Sequence, residues 1–140
     1  MLFTFLLVVC LTVPPVDGPA VADFAPSAGY AGHWGVDLAA RPDSEVRAPA
    51  SGVVTFAGRV AGMRSVTIRV NDELRVSLSY LSSVAVSVGD RVPAGRIVGR
   101  SGLAHGEPAV HMSTRIDGTY VDPMGYLRCR SGTIRLLGDR

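Results

Sequence analysis

The chain has three histidines, at positions 33, 105 and 111. The first opens the run His33-Trp34-Gly35-Val36-Asp37, which sets an imidazole and a carboxylate four residues apart around a glycine. A loop of that make-up can fold both side chains onto one ion, and His111 would complete a set of two histidines and one carboxylate. Such a set suits catalytic zinc with one position left for water, whose pKa falls towards neutrality while a substrate carbonyl is polarised. Spacing alone leaves plainer roles open: His33 as a loop surface residue and Asp37 as a turn former. His105 lies in the turn-rich segment Leu103-Ala104-His105-Gly106-Glu107-Pro108.

Those side chains need elements to hold them, and the pattern around them is one of strands. Val53-Val54-Thr55-Phe56 is an apolar run between Gly52 and Gly58. Val66, Ile68 and Val70 alternate with polar residues, as do Leu74, Val76, Leu78 and Tyr80, and Asn71-Asp72 stands where a hairpin turn belongs. Val84, Val86 and Val88 alternate before Gly89-Asp90, and Arg96-Ile97-Val98 is flanked by Gly95 and Gly99. Val110, Met112, Thr114 and Ile116 alternate up to Asp117-Gly118. With Val110 and Met112 in the core, Ala109, His111 and Ser113 share the opposite face. No apolar stripe of helical period extends beyond one turn. The reading is all-β, one domain over residues 32–127.

Composition narrows the chemistry. A length of 140 residues with 47% hydrophobic and 19% charged content suits one small domain with a core. All 14 basic residues are arginine, so lysine Schiff bases, phosphate-loop lysines and lipoyl or biotinyl attachment are excluded. A net charge of +2 is too small for a nucleic-acid footprint.

The amino-terminal residues read as an address. Leu2 to Val13 is an apolar run of 12 residues, short of the roughly 20 that span a bilayer and suited to a secretory signal. Ala20-Val21-Ala22 then offers a small-residue cleavage site. The expected division is a signal peptide at 1–22, a lead-in at 23–31, the domain at 32–127 and a tail at 128–140. A secreted or cell-envelope location follows, with no stable membrane span after cleavage. Cys129 would then be the one cysteine left, which rules out an intramolecular disulfide.

His33-x-Gly35-x-Asp37, Val46-Arg47-Ala48-Pro49-Ala50-Ser51-Gly52, Val88-Gly89-Asp90-Arg91-Val92-Pro93-Ala94-Gly95 and Val110-His111 stand in an order that resembles a known family. It is that of the lysostaphin-type, LytM-like zinc endopeptidases, metallopeptidase family twenty-three. The resemblance implies a compact two-sheet β-sandwich or barrel-like fold with a groove over zinc. It also implies peptidoglycan peptides as substrate and His33, Asp37 and His111 as the zinc ligands. Two family positions depart from the pattern. Ala109 stands where the family's His-x-His has its first histidine, and Tyr80 where a Tyr-x-His-Leu pattern has its own. Two substitutes are at hand: His105 as a proton carrier, and the Tyr80 phenol as a hydrogen-bond donor to an oxyanion. The plainer roles are a solvated loop histidine and a core aromatic.

The sequence therefore points to a secreted zinc metalloendopeptidase that cuts peptide bonds of peptidoglycan. The alternative is a non-catalytic module of the same fold that binds cell-wall peptide or activates a separate amidase. Retention of three ligand types favours the first, and loss of both assisting histidines favours the second.

Overall fold

The computed structural model describes residues 10–28 and 31–127. Its elements are β1 (Ala20–Ala22), β2 (Ala25–Pro26), β3 (Gly32–His33), β4 (Val36–Ala39), β5 (Glu45–Arg47), β6 (Gly52–Val60) and β7 (Met63–Arg69). They continue with β8 (Leu74–Val84), β9 (Arg91–Val92), β10 (Ile97–Ala104), β11 (Glu107–Ile116), β12 (Thr119–Val121) and the four-residue helix α1 (Met124–Leu127). Among the described residues, ten strands form one large sheet and β2 pairs with β3 in a small second one. The all-β expectation holds.

Alternation in the central strands explains why they stay together. Leu74, Val76 and Leu78 of β8 are fully buried, and so are Val66 and Ile68 of β7 and Val110, Met112 and Thr114 of β11. Register sets Met112 against Leu78, and Leu78 against Val66, so these side chains form one continuous apolar face. Each fully buried aliphatic side chain contributes about 1.5–3 kcal/mol relative to exposure. The β7–β8 turn lies where Asn71-Asp72 predicts it, with the Asn71 side-chain oxygen accepting from the Glu73 and Leu74 amides at 2.9 and 2.8 Å.

The sheet divides at Tyr80. Residues up to Ser79 of β8 pair with β11, whereas Leu81, Ser83 and Val84 pair with β10. On the other side Ser65 opposes Ser79 and Arg64 opposes Leu81, leaving Tyr80 as the extra residue of a bulge with φ of 62°. A left-handed backbone at a non-glycine residue costs about 1–3 kcal/mol and re-aims the side chain.

Two expectations change. The alternating Val84, Val86 and Val88 do not form a strand, because β8 ends at Val84. An Asp90 side-chain oxygen instead accepts from the Ser87 amide at 2.9 Å and turns the chain, leaving Val86 buried and Val88 exposed. The packed unit also begins well before residue 32. Leu11 and Val16 are buried in the core, the Pro49, Pro15 and Pro19 carbonyls accept from the Thr12, Arg47 and Ala39 amides, and β1 pairs with β4. Removing residues 1–22 would take these groups away. Within the lead-in, Ala25 pairs with His33, in a strand too short to carry a period. The apolar stretch before Cys10, the tail at 128–140 and Cys129 lie outside the described residues. No helix among the described residues is long and apolar enough to cross a membrane.

Candidate metal centre

β4 and β11 are antiparallel neighbours, and their register puts Asp37 directly opposite His111. Their close approach needs Gly35: a Cβ there would lie 2.4 Å from the Met112 carbonyl oxygen and 2.7 Å from Nε2 of His111. His105 arrives from a different direction. It begins the two-residue turn between β10 and β11, where His105 and Gly106 have φ of 53° and 83° while Ala104 pairs with Glu107. Two successive left-handed residues make the tight hairpin turn whose twist matches the flanking strands. His33 ends β3, the strand just before β4.

All three imidazoles converge on one buried carboxylate. Nδ1 of His111 lies 2.8 Å from Oδ1 of Asp37, Nε2 of His33 lies 3.1 Å from the same oxygen, and Nδ1 of His105 lies 2.7 Å from Oδ2. One donor atom from each of the four residues fits within a 4.8 Å span.

The hydrogen bonding of His33 fits this set to a cation. Nδ1 of His33 lies 2.8 Å from the Asp23 carbonyl oxygen, which can only accept, so that nitrogen carries the hydrogen. In the neutral ring Nε2 then presents a lone pair to Oδ1 of Asp37, which presents another. A cation between them turns that repulsion into two bonds, and imidazole with carboxylate is a donor set suited to zinc. The backbone carbonyl on the remote nitrogen is the usual outer partner of a metal-binding histidine.

Electrostatics point the same way. Burial pushes the Asp37 carboxyl up, but hydrogen bonds from His105 and His111, and the charges that His111 and His33 carry when protonated, outweigh it and hold the group below its usual range. Burial pushes the His111 ring down, and contact with Asp37 offsets only part of that. A carboxylate beside a neutral imidazole is the protonation state that metal binding requires.

Tyr80 closes one side. Its ring centroid lies 5.0 Å from that of His105 and 6.2 Å from that of His111. The bulge thus gathers Tyr80 with His33, Asp37, His105 and His111. Ala109 is fully buried opposite Gly102 and Ala39, and His105 reaches the cluster from the turn beyond it.

From His111 a groove of about 450 Å³ runs along the open face of the sheet. Its floor follows the register: His111 beside Ser79 and Ser65, then Ser113 beside Ser77 and Thr67, then Arg115 beside Arg75, with Arg69 next in that row but outside the groove lining. Trp34 and Tyr120, with ring centroids 6.1 Å apart, line it, as does Phe56. No sequence motif marks Trp34, the hydroxyl rows or the Asp23 carbonyl. The hydroxyls were marked only by being the polar half of the alternation.

A buried carboxylate ringed by three imidazoles, beside a groove on the same sheet, is a donor set that could hold a metal ion. The comparisons agree: the family model described as Peptidase family M23 matches residues 31–123, and the chain belongs to that family. Members are zinc-dependent peptidases. An uncharacterised protein of Mycobacterium tuberculosis is 39% identical over 116 residues, 75% of this chain and 44% of that protein. The DD-carboxypeptidase/endopeptidase Mpg of Neisseria meningitidis is 36% identical over 96 residues, 66% of this chain and 22% of Mpg. The structure of Helicobacter pylori Csd3 superposes with a TM-score of 0.76 at 29% identity, covering 86% of this chain and 36% of Csd3. The chain therefore spans less than half the length of these relatives.

Proposed function

We propose that this chain is a zinc peptidase of the cell envelope that cuts peptide bonds in peptidoglycan. The observation that carries this reading is the convergence of three imidazoles on Asp37, one of which, His111, also lines an open groove. His33, Asp37 and His111 would hold the ion, with His33 fixed by the Asp23 carbonyl and His111 by its place opposite Asp37. Zinc held there supplies Lewis-acid polarisation of the attacking water and of the scissile carbonyl. Tyr80 brings a phenol that can donate to the oxygen on which negative charge develops. His105 brings the remaining imidazole, which carries the proton that the departing amine needs. The activity of Mpg, a DD-carboxypeptidase/endopeptidase, supports the reaction class. Export past the membrane belongs to the same reading, since the substrate lies outside it.

One distance favours a second reading. With Nδ1 only 2.7 Å from Oδ2 of Asp37, His105 stands among the donors and would serve as a fourth ligand. Four protein ligands close a zinc site, as in structural centres. The chain would then be a module that binds cell-wall peptide or activates an amidase.

His105→Ala separates the two. The enzyme reading expects muropeptide cleavage by the wild type, read by mass, and a loss of about 10²–10⁴-fold in the variant with zinc retained. The closed-site reading expects no cleavage by the zinc-loaded wild type and weaker zinc binding by the variant. In either case His33→Ala and Asp37→Ala should lower zinc content, and equal content in all forms would overturn the metal site.

A further inference from the structure

The far end of the groove holds a row of like charge. Register places Arg115 directly opposite Arg75, and Arg75 directly opposite Arg69, on the face that carries His111. Like charges directly opposite each other destabilise a sheet. No carboxylate of the described residues lies within ion-pairing distance of these three guanidinium groups: the ion pairs found involve Asp37 with histidines and Glu45 with Arg47. Glu73 and Asp117 flank the row in sequence, yet neither is paired with it, and the Asp117 amide instead donates to the Glu73 carbonyl at 2.9 Å. The partner that the Arg115 group does have is the Tyr120 ring, whose centroid lies 5.7 Å away. That contact orients the guanidinium without neutralising it.

We propose that Arg75 and Arg115 form a carboxylate subsite, so that the groove takes a peptide bearing a free carboxylate at the end remote from His111. This rests on the peptide-cleft reading above and specifies its substrate. Both side chains line the groove together with His111. Between them lies an uncharged row, Ser113, Ser77 and Thr67, in which the Ser77 and Thr67 hydroxyls bond each other at 2.7 Å. Arg115 lies four residue steps along the strand from His111, about 13 Å of backbone at the rise of a strand. An extended ligand covers that length in about four residues, so a carboxylate held by the arginines leaves a peptide bond within reach of the metal centre. Two guanidinium groups side by side match a carboxylate in both charge and fork geometry, which a carboxamide lacks.

The test is binding to the full, metal-free chain of a peptidoglycan stem tetrapeptide whose terminal carboxyl group is free, and of the same peptide as its terminal amide. The wild type should bind the acid at least about tenfold more tightly than the amide. The double variant Arg75→Gln, Arg115→Gln should bind both equally. If the double variant does not fold, the single variant Arg75→Gln, at an exposed position, should narrow the difference. His33→Ala should lose zinc and keep the preference, which separates this proposal from the metal reading. Equal binding of acid and amide by the wild type, binding of neither, or a preference that survives in the arginine variants would overturn the subsite. Muropeptide cleavage without preference for the acid would remove the subsite and leave the peptidase reading standing.

Discussion

Replacing Gly35 by alanine tests how the centre is built. The added Cβ would lie 2.4 Å from the Met112 carbonyl oxygen and 2.7 and 2.8 Å from Nε2 and Cε1 of His111. Ordinary contact begins near 3.4 Å, so the backbone contact falls short by about 1 Å. β11 cannot give way, since β4 and β8 bond it on both sides. β4 must therefore move outward and take Asp37 with it, or the His111 ring must leave its position. Overpacking of this kind costs about 1–3 kcal/mol. Displacing the groups that hold a ligand lowers metal affinity by about 10–100-fold. Urea unfolding of the metal-free protein reads the first effect, and zinc competition against a chromophoric chelator reads the second. Gly89→Ala serves as control, because its Cβ would meet nothing within 4 Å while its φ of +93° still carries the conformational cost. It should lose stability and keep its zinc affinity. An unchanged urea midpoint together with unchanged zinc affinity in Gly35→Ala would refute the reasoning.

Leu11→Ala should destabilise the full chain by about 2–5 kcal/mol, because Leu11 is only 1% exposed within the core. A change below about 0.5 kcal/mol in urea unfolding would show that the segment before Ala22 does not belong to the folded unit. Acid should destabilise the metal-free protein through two groups of the same sign. Asp37 has a folded pKa below 3.8, so its contribution is complete above that value and is lost as pH falls through the folded one. His111 has a folded pKa below 6.5, so the unfolded chain binds more protons and stability falls as pH drops below 6.5 until the folded ring itself protonates. The urea midpoint should therefore fall steadily on acidification from neutrality, and a flat profile would contradict both assignments.

Much of this protein is legible in one dimension. Strand alternation at Val66 to Ile68, Leu74 to Leu78 and Val110 to Ile116 reports a side-chain period of two, a property of the extended backbone itself, and those strands are where it places them. The family is legible too, because its glycines and histidines keep their order along the chain. Alternation misleads at Val84 to Val88, where one side chain, Asp90, turns the backbone before the valines can pair. The amino-terminal segment shows another limit of pattern, since the burial of Leu11 and Val16 depends on contacts with residues distant in sequence.

The centre itself depends on placement that no local pattern contains. His33, Asp37, His105 and His111 could be named as residues with suitable chemistry. Their meeting depends on β4 lying beside β11, on a two-residue turn aiming His105 backwards, and on a bulge that sets Tyr80 against its ring. The arginine row is the plainest instance. Arg69, Arg75 and Arg115 are unremarkable charged positions in three separate strands, each on the polar half of its alternation. Pairing register alone makes them neighbours, and a shift of one residue would send Arg75 to the opposite face, because successive side chains in a strand point to opposite sides.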